Sequence, residues 1–293
     1  MGTALQASKR NAALHPDQST LRQQLLDEAL RAATRPNLLQ LPPRSALPSL
    51  SLVCCSVKPE IETRWRGEVA RHFADWAQIE TCVLNDARSL AEAYNRGAER
   101  TRGEWLVFCH DDIRFARPDF AARVASAMHE FDVFGPAGSV DANALSALWA
   151  GPRSGFAQVA YPLPDGRWLA TIGGIGAVRQ AAKLLDGVFI AVRRSVWERV
   201  RFDATRFDAF HLYDMDFSLC CDRAGARVGI AQDLHLVHDS LGDFDATWSG
   251  YAERFVEKHP DLVIGEANQD PTGGIAVDDF GRISALFDAI NAA

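Results

Sequence analysis

The sequence predicts an α/β protein with a Rossmann-like, mostly parallel central sheet flanked by helices and preceded by an N-terminal helical extension. Two patterns carry that expectation. From residue 49, apolar runs of strand length alternate with stretches whose apolar residues recur at helical spacing, and successive strand-like runs end in polar side chains. The composition permits it, since 293 residues that are 47% apolar and 24% charged can bury a large core.

Residues 19–33, STLRQQLLDEALRAA, open on a capping Ser or Thr and repeat Leu21, Leu25, Leu26 and Ala29 at helical spacing. The Pro-rich LQLPPRSALPSL ends that helix, so residues 1–48 form an extension and linker. SLSLVCCSV then reads as a buried strand and EIETRWRGEVARHFADW as a helix with Ile61, Trp65, Val69, Phe73 and Trp76 on one face. QIETCVLND is a second strand, SLAEAYNRGAERT a second helix, EWLVFC a third strand, RPDFAARVASAMHE a third helix and FDVFGPA a fourth strand. This βαβαβ order implies parallel strands joined by right-handed crossovers.

The second half is less regular. A hairpin is expected around Pro164, Asp165 and Gly166, followed by the glycine-rich IGGIGA, which lacks the context of a dinucleotide fingerprint. LLDGVFIAVRR reads as a strand, SVWERV as a short helix, YDMDFSLCCDRAG as a helix ending at Gly225, and RVGIAQDLHLVH as a strand or strand pair. Two amphipathic helices, ATWSGYAERFVEKH and DFGRISALFDAIN, follow. The main domain is expected over residues 49–262 and a C-terminal helical tail over 263–293.

A net charge of -7 argues against a nucleic-acid groove, which needs a basic stripe. No run approaches the ~20 apolar residues of a membrane span, and the opening MGTALQASKR lacks the apolar segment of a signal peptide. A cytoplasmic protein without an integral membrane segment is expected, with peripheral attachment at the inner membrane as the alternative. The six cysteines form no CxxC pair and read as reduced core residues, which argues against a zinc site.

In open parallel sheets ligands bind at the carboxyl ends of the strands. His110, Asp111 and Asp112 end the third predicted strand, Asn85 and Asp86 the second, and Ser56, Val57, Lys58 and Pro59 the first. Two carboxylates beside an imidazole suit a hard divalent ion that also holds phosphate oxygens; equally, the triplet could cap the loop and the helix near Pro118. In YDMDF, Asp216 is expected to cap the helix, and Asp214 is the better candidate for a general base. His238 follows an apolar strand and is a candidate ligand, whereas His235, three residues earlier, falls on the opposite face. Lys58, Arg193 and Arg194 could hold phosphate but rank below the carboxylates.

Taken in order, VCCSVKP, VLND, SLAEAYNRGAERTRGEWLVFCHDD, LDGVFIAVRRSVW and YDMDFSLCCDRAGARVGIAQDLHLVH resemble the family 2 glycosyltransferases of GT-A fold, over about residues 50–240. Within them the closest likeness is to the bacterial group that includes proteins of streptomycin biosynthesis and capsule formation. The resemblance implies a transfer of sugar, with inversion, from a nucleoside-diphosphate sugar to a hydroxyl acceptor, assisted by Mn(II) or Mg(II). It places Asp86 on the nucleobase, Ser56, Val57, Lys58 and Pro59 against the nucleoside, and Asp111 among the nucleotide contacts. It makes Asp112 a metal ligand, sets His110 where the family carries the first Asp of D-x-D, brings His238 to the metal or diphosphate, and makes Asp214 the base, with Tyr213 replacing the usual Glu.

Two alternatives remain at this level: a degenerate member that binds a nucleotide or partner without turnover, and a sugar nucleotidyltransferase. The second would carry a glycine-rich basic loop after the first strand, which CCSVKPEIE does not. The terminal helices offer surfaces for self-association.

Overall fold

The computed structural model describes residues 38–142, 155–173, 177–240, 246–262 and 273–292. The helix expected over residues 19–33 and the glycine loop at 174–176 lie outside the described residues.

The first half follows the predicted order. Strand β1 (Leu50–Cys55) leads to helix α1 (Pro59–His72), β2 (Ile79–Leu84), α2 (Leu90–Arg100) and β3 (Trp105–Cys109). Pro59 starts α1 at a position where its missing N–H costs nothing, with Glu60 and Glu62 in the first turn and Arg71 and His72 in the last, matching the helix dipole. Ser89 caps α2 by accepting the Glu92 N–H at 3.1 Å. Helix α2 lies tightly on β1: a Cβ on Gly97 would come within 2.3 Å of Val53 Cγ1.

The chain then runs through β4 (Ile113–Phe115), α3 (Phe120–Glu130), β5 (Val133–Gly135), β6 (Ala137–Ser139), β7 (Gly155–Pro162), β8 (Trp168–Gly173), β9 (Arg179–Ala181), β10 (Leu184–Leu185) and β11 (Phe189–Arg193). Helices α4 (Arg194–Val200) and α5 (Tyr213–Arg223), strands β12 (Val228–Ala231) and β13 (Leu236–His238), helix α6 (Ala246–Lys258), strand β14 (Gly273–Val277) and helix α7 (Phe280–Ala292) complete it.

The central sheet has the order β2-β1-β3-β11-β5-β12-β9. It is parallel across β2, β1 and β3 and again between β5 and β12, but β11 runs antiparallel to both of its neighbours, so the whole is mixed. Before β11 the chain passes through a second sheet, β10-β6-β7-β13-β4 with β8 beside β7 and β14 beside β8, and re-enters the first sheet without a crossover helix. One face of the central sheet packs Val53, Phe108 and Ile190 against Tyr94, Phe202 and Phe217; the other packs Leu52, Val107 and Phe189 against Trp65, Phe73 and Phe120. The C-terminal segment, expected as a helical tail, contributes β14 to the second sheet and lays Ile283, Leu286 and Phe287 of α7 on its apolar side.

Two expectations are corrected. Asp216 does not cap α5: Leu212 holds the N-cap position, and Asp216, buried in the first turn, accepts from Lys258 Nζ and pairs with His259 Nε2, each at 2.8 Å, tying α6 to α5. Arg193 and Arg194 are not phosphate ligands. Antiparallel pairing sets Arg193 opposite Trp105, at the amino end of β3 and away from the ligand edge. There Arg193 stacks on Trp105 and bonds Asp132, while Arg194 donates to the carbonyls of Ala98 in the last turn of α2 and Gly103 just beyond it.

Candidate active site

The triplet His110, Asp111, Asp112 is the passage from β3 in the central sheet to β4 in the second. It does not cap the helix near Pro118; Asp119 holds the N-cap position of α3, its carboxylate engaged by Arg117 and Arg123. Register brings His238 to the same place, because β13 pairs antiparallel with β4 and sets His238 opposite Ile113. The Asp239 N–H, donated to the Asp112 carbonyl at 3.0 Å, fastens the two loops together. Arg64 and Arg114 hold the Asp239 carboxylate from outside, and Arg114 stacks on Trp168.

His238 Nε2 lies 3.1 Å from each of His110 Nδ1, Asp112 Oδ1 and Ser240 Oγ. One imidazole nitrogen carries one proton or one lone pair and cannot serve three such neighbours at once. Ligand bonds of about 2.1 Å at right angles leave neighbouring donor atoms about 3.0 Å apart, so His110, Asp112 and His238 fit a common divalent ion. Two imidazoles and one carboxylate suit Mn(II) better than the harder Mg(II).

Hydrogen-bond partners orient His110 for that task. Tyr94 donates to the Cys109 carbonyl at 3.1 Å, and the oxygen of Tyr213, whose ring packs on Tyr94, lies 3.2 Å from His110 Nε2. With the proton on Nε2, toward the Tyr213 oxygen, the Nδ1 lone pair faces His238, the tautomer a metal ligand needs. Burial, then the neighbouring His238, pulls the His110 pKa down to about 4, so the ring is neutral at ordinary pH. Burial also disfavours a charged His238, but the Asp112 carboxylate outweighs it and the His238 pKa is raised. For Asp112, burial works upward, and the hydrogen bond and charge of His238 bring it well below the usual carboxylate range.

Helix α5 starts after Leu212, whose φ of 59° is unusual for a branched residue, and this sharp entry turns Asp214 toward the same edge. Asp214 Oδ2 accepts the Gly187 N–H at 2.7 Å. Burial, then the charge of Asp186, raises the Asp214 pKa to about 7.

The other candidates occupy the same edge with looser ties. Asp111 is hydrogen-bonded to the buried Ser56, and burial raises its pKa. Val57 is 71% exposed, an apolar side chain left open beside Lys58 and Pro59. Asp86 is solvent-facing and paired with Arg96 at 2.7 Å, outside the His–Asp–His group. His235 is buried elsewhere, against Arg117 and Phe287, so only one of the two histidines joins the site. Sequence reasoning missed Asp186 and Tyr161, whose ring centroid is 6.1 Å from that of His238. The Asp-Gly step in LLDGVF was the available signal, but a parallel reading of that strand places it at the wrong edge.

Among solved structures, GalNAc-T7, crystallised with UDP, GalNAc and Mn2+, superposes with a TM-score of 0.51 at 10% identity, over 84% of this chain and 57% of that one. At that identity the likeness shows the fold, in keeping with the GT-A expectation. The mannosyltransferase PcManGT from Pyrobaculum calidifontis, in complex with GDP-Man and Mn2+, gives a TM-score of 0.47 at 12% identity, over 83% of this chain and 72% of that one. S. aureus TarS 1-349 gives 0.40 at 12% identity, over 73% and 72%. No curated protein matches the chain. A family profile described as "Glycosyltransferase like family" matches residues 72–259, a span that runs from the end of α1 through His110, Asp214 and His238 to His259. With more than half of its length and the whole His–Asp–His group inside that match, the chain belongs to the glycosyltransferase-like family.

Proposed function

We propose that the protein is an inverting glycosyltransferase that moves a sugar from a nucleoside-diphosphate sugar to a hydroxyl acceptor, in bacterial glycan, polysaccharide or secondary-metabolite synthesis. The observation that carries this reading is the shared edge: Asp214, with a pKa raised to about 7, is anchored to the turn whose Val188 carbonyl accepts the His110 N–H. A base poised near neutrality can accept a proton from an acceptor hydroxyl.

In this reading Ser56, Val57, Lys58, Pro59, Asp86 and Asp111 line the nucleotide, with Val57 against a flat apolar surface such as a nucleobase. His110, Asp112 and His238 hold a divalent ion, Mn(II) in preference to Mg(II), which when bound would offset the charge of a departing diphosphate. Asp214 takes the acceptor proton as the oxygen attacks the anomeric carbon, and a single base on one face implies inversion. The contact from Tyr213 makes His110 a shaped ligand, which favours a working site over a degenerate one. No helix among the described residues is long and apolar enough to cross a membrane.

The test is calorimetry of nucleoside diphosphates with Mn(II), Mg(II) or chelator, followed by hydrolysis and transfer assays with the matching sugar nucleotides. Metal-dependent binding of one nucleotide, and turnover lost in Asp214→Asn with binding retained, is the expected result. No nucleotide binding in any condition would overturn the proposal.

A further inference from the structure

The turn Asp186–Val188 hands consecutive backbone N–H groups to two different carboxylates. Gly187 donates to Asp214 Oδ2 at 2.7 Å and Val188 donates to Asp186 Oδ1 at 2.7 Å. Glycine is needed at the centre: a Cβ there would lie 2.1 Å from Tyr213 Oη and 3.1 Å from Asp214 Oδ2. One small turn therefore holds both acids, Asp186 from within it and Asp214 from the first turn of α5, and among the described residues neither has an Arg or Lys partner. Other enclosed aspartates are treated differently. Asp119 is held by Arg117 and Arg123, Asp233 by Arg123 and Arg179, and Asp216 by Lys258. Leaving two adjacent carboxylates without cations costs stability, and such a cost marks a pair with a task.

We infer that Asp186 is a positioning residue for the base: it keeps a second negative charge beside the carboxylate that receives the acceptor proton, and so makes Asp214 a stronger base. The inference rests on the reading of Asp214 as the base. In the step, the acceptor O–H bond breaks and its proton goes to Asp214; the acceptor oxygen bonds the anomeric carbon as the carbon–oxygen bond to the diphosphate breaks, its electron pair leaving with the diphosphate. A neighbouring charge that disfavours bare carboxylate at Asp214 favours the proton's arrival. Burial first and Asp186 second raise Asp214, and burial raises Asp186 in turn. The other titratable groups facing the pair are Tyr213 on α5, Tyr161 on β7 and His238 on β13.

The experiment reads protonation directly, on the full chain with carboxyl-13C aspartate, by NMR from pH 4 to pH 9. The resonance absent from Asp214→Asn identifies Asp214. Its midpoint, near 7 in the wild type, is expected to fall by about one pH unit or more in Asp186→Asn, a tenfold change in proton affinity. Asp186→Ser, which retains an oxygen for the Val188 N–H without the charge, is expected to shift it the same way if the Asn variant does not fold. The acidic limb of sugar-nucleotide hydrolysis should move with it. A midpoint unmoved in both variants, or already in the ordinary carboxylate range in the wild type, overturns the inference. Hydrolysis surviving in Asp214→Asn while the Asp186 variants still move the midpoint would remove Asp214 as the base and leave the coupling standing.

Discussion

Gly187 and Tyr213 are in such close contact that a single methyl group on the glycine would lie 2.1 Å from the phenolic oxygen and 2.8 Å from Cζ. The tyrosine has no room to withdraw, because Tyr94 and Phe202 pack against its ring. Gly187→Ala is therefore expected to destabilise the protein by ~1–3 kcal/mol, the usual cost of overpacking. The urea midpoint should fall, and Mn(II) binding should weaken as His110 loses its Tyr213 contact.

Asp112→Ala and His238→Ala each remove one of three converging donors. Calorimetry in Mn(II) is expected to show nucleotide affinity lowered by about tenfold or more in either variant. In chelator, both should match the wild type. Equal weakening with and without metal would make Asp112 a purely structural residue.

Asp214 gives a pH dependence of unusual sign. Its folded-state pKa, near 7, exceeds its unfolded value of about 3.9, so the folded protein binds the extra proton between those values and loses stability as pH rises through that window. Asp214→Asn carries no such penalty. Urea denaturation at pH 5 and pH 8 should show the variant gaining on the wild type at the higher pH, by on the order of 1 kcal/mol. Turnover has the opposite slope, with wild-type rates rising through about pH 7 as Asp214 loses its proton.

The buried Asp216 holds both Lys258 and His259, and its truncation strands two partners at the joint of α5 and α6. Asp216→Ala is expected to cost ~3–5 kcal/mol, as for other broken buried ion pairs. Thermal unfolding checks this.

Arg194 closes the end of α2 through the carbonyls of Gly103 and Ala98. Arg194→Ala should lower stability by ~1–2 kcal/mol and leave nucleotide affinity unchanged. A loss of affinity at full stability would restore the phosphate role.

Local patterns were enough for much of this. Ser89 before LAEAY and the apolar run before His110 each report a short-range preference of the chain, and the elements formed where those signals stood. The triplet after β3 was equally readable, because a polar cluster ending a parallel strand faces the ligand edge whatever the rest of the fold does. Asp216 was half-readable: its acidity marked a helix start, but the partners that define its task are more than forty residues away, at the end of α6 and just after it.

By itself, then, the sequence determined the βαβαβ half, its ligand edge and the residue types there, since periodicity and end-of-strand chemistry are local properties. Tertiary structure alone decided the direction of β11, which depends on how the intervening chain pairs in a second sheet. That reversal brings Asp186 beside Asp214 and carries Arg193 to the far edge opposite Trp105. The β4–β13 register likewise brought His238, which the sequence already preferred to His235, opposite Ile113 and so to the His110–Asp112 loop, because a one-residue slip in an antiparallel pair exchanges the faces of every side chain on the strand.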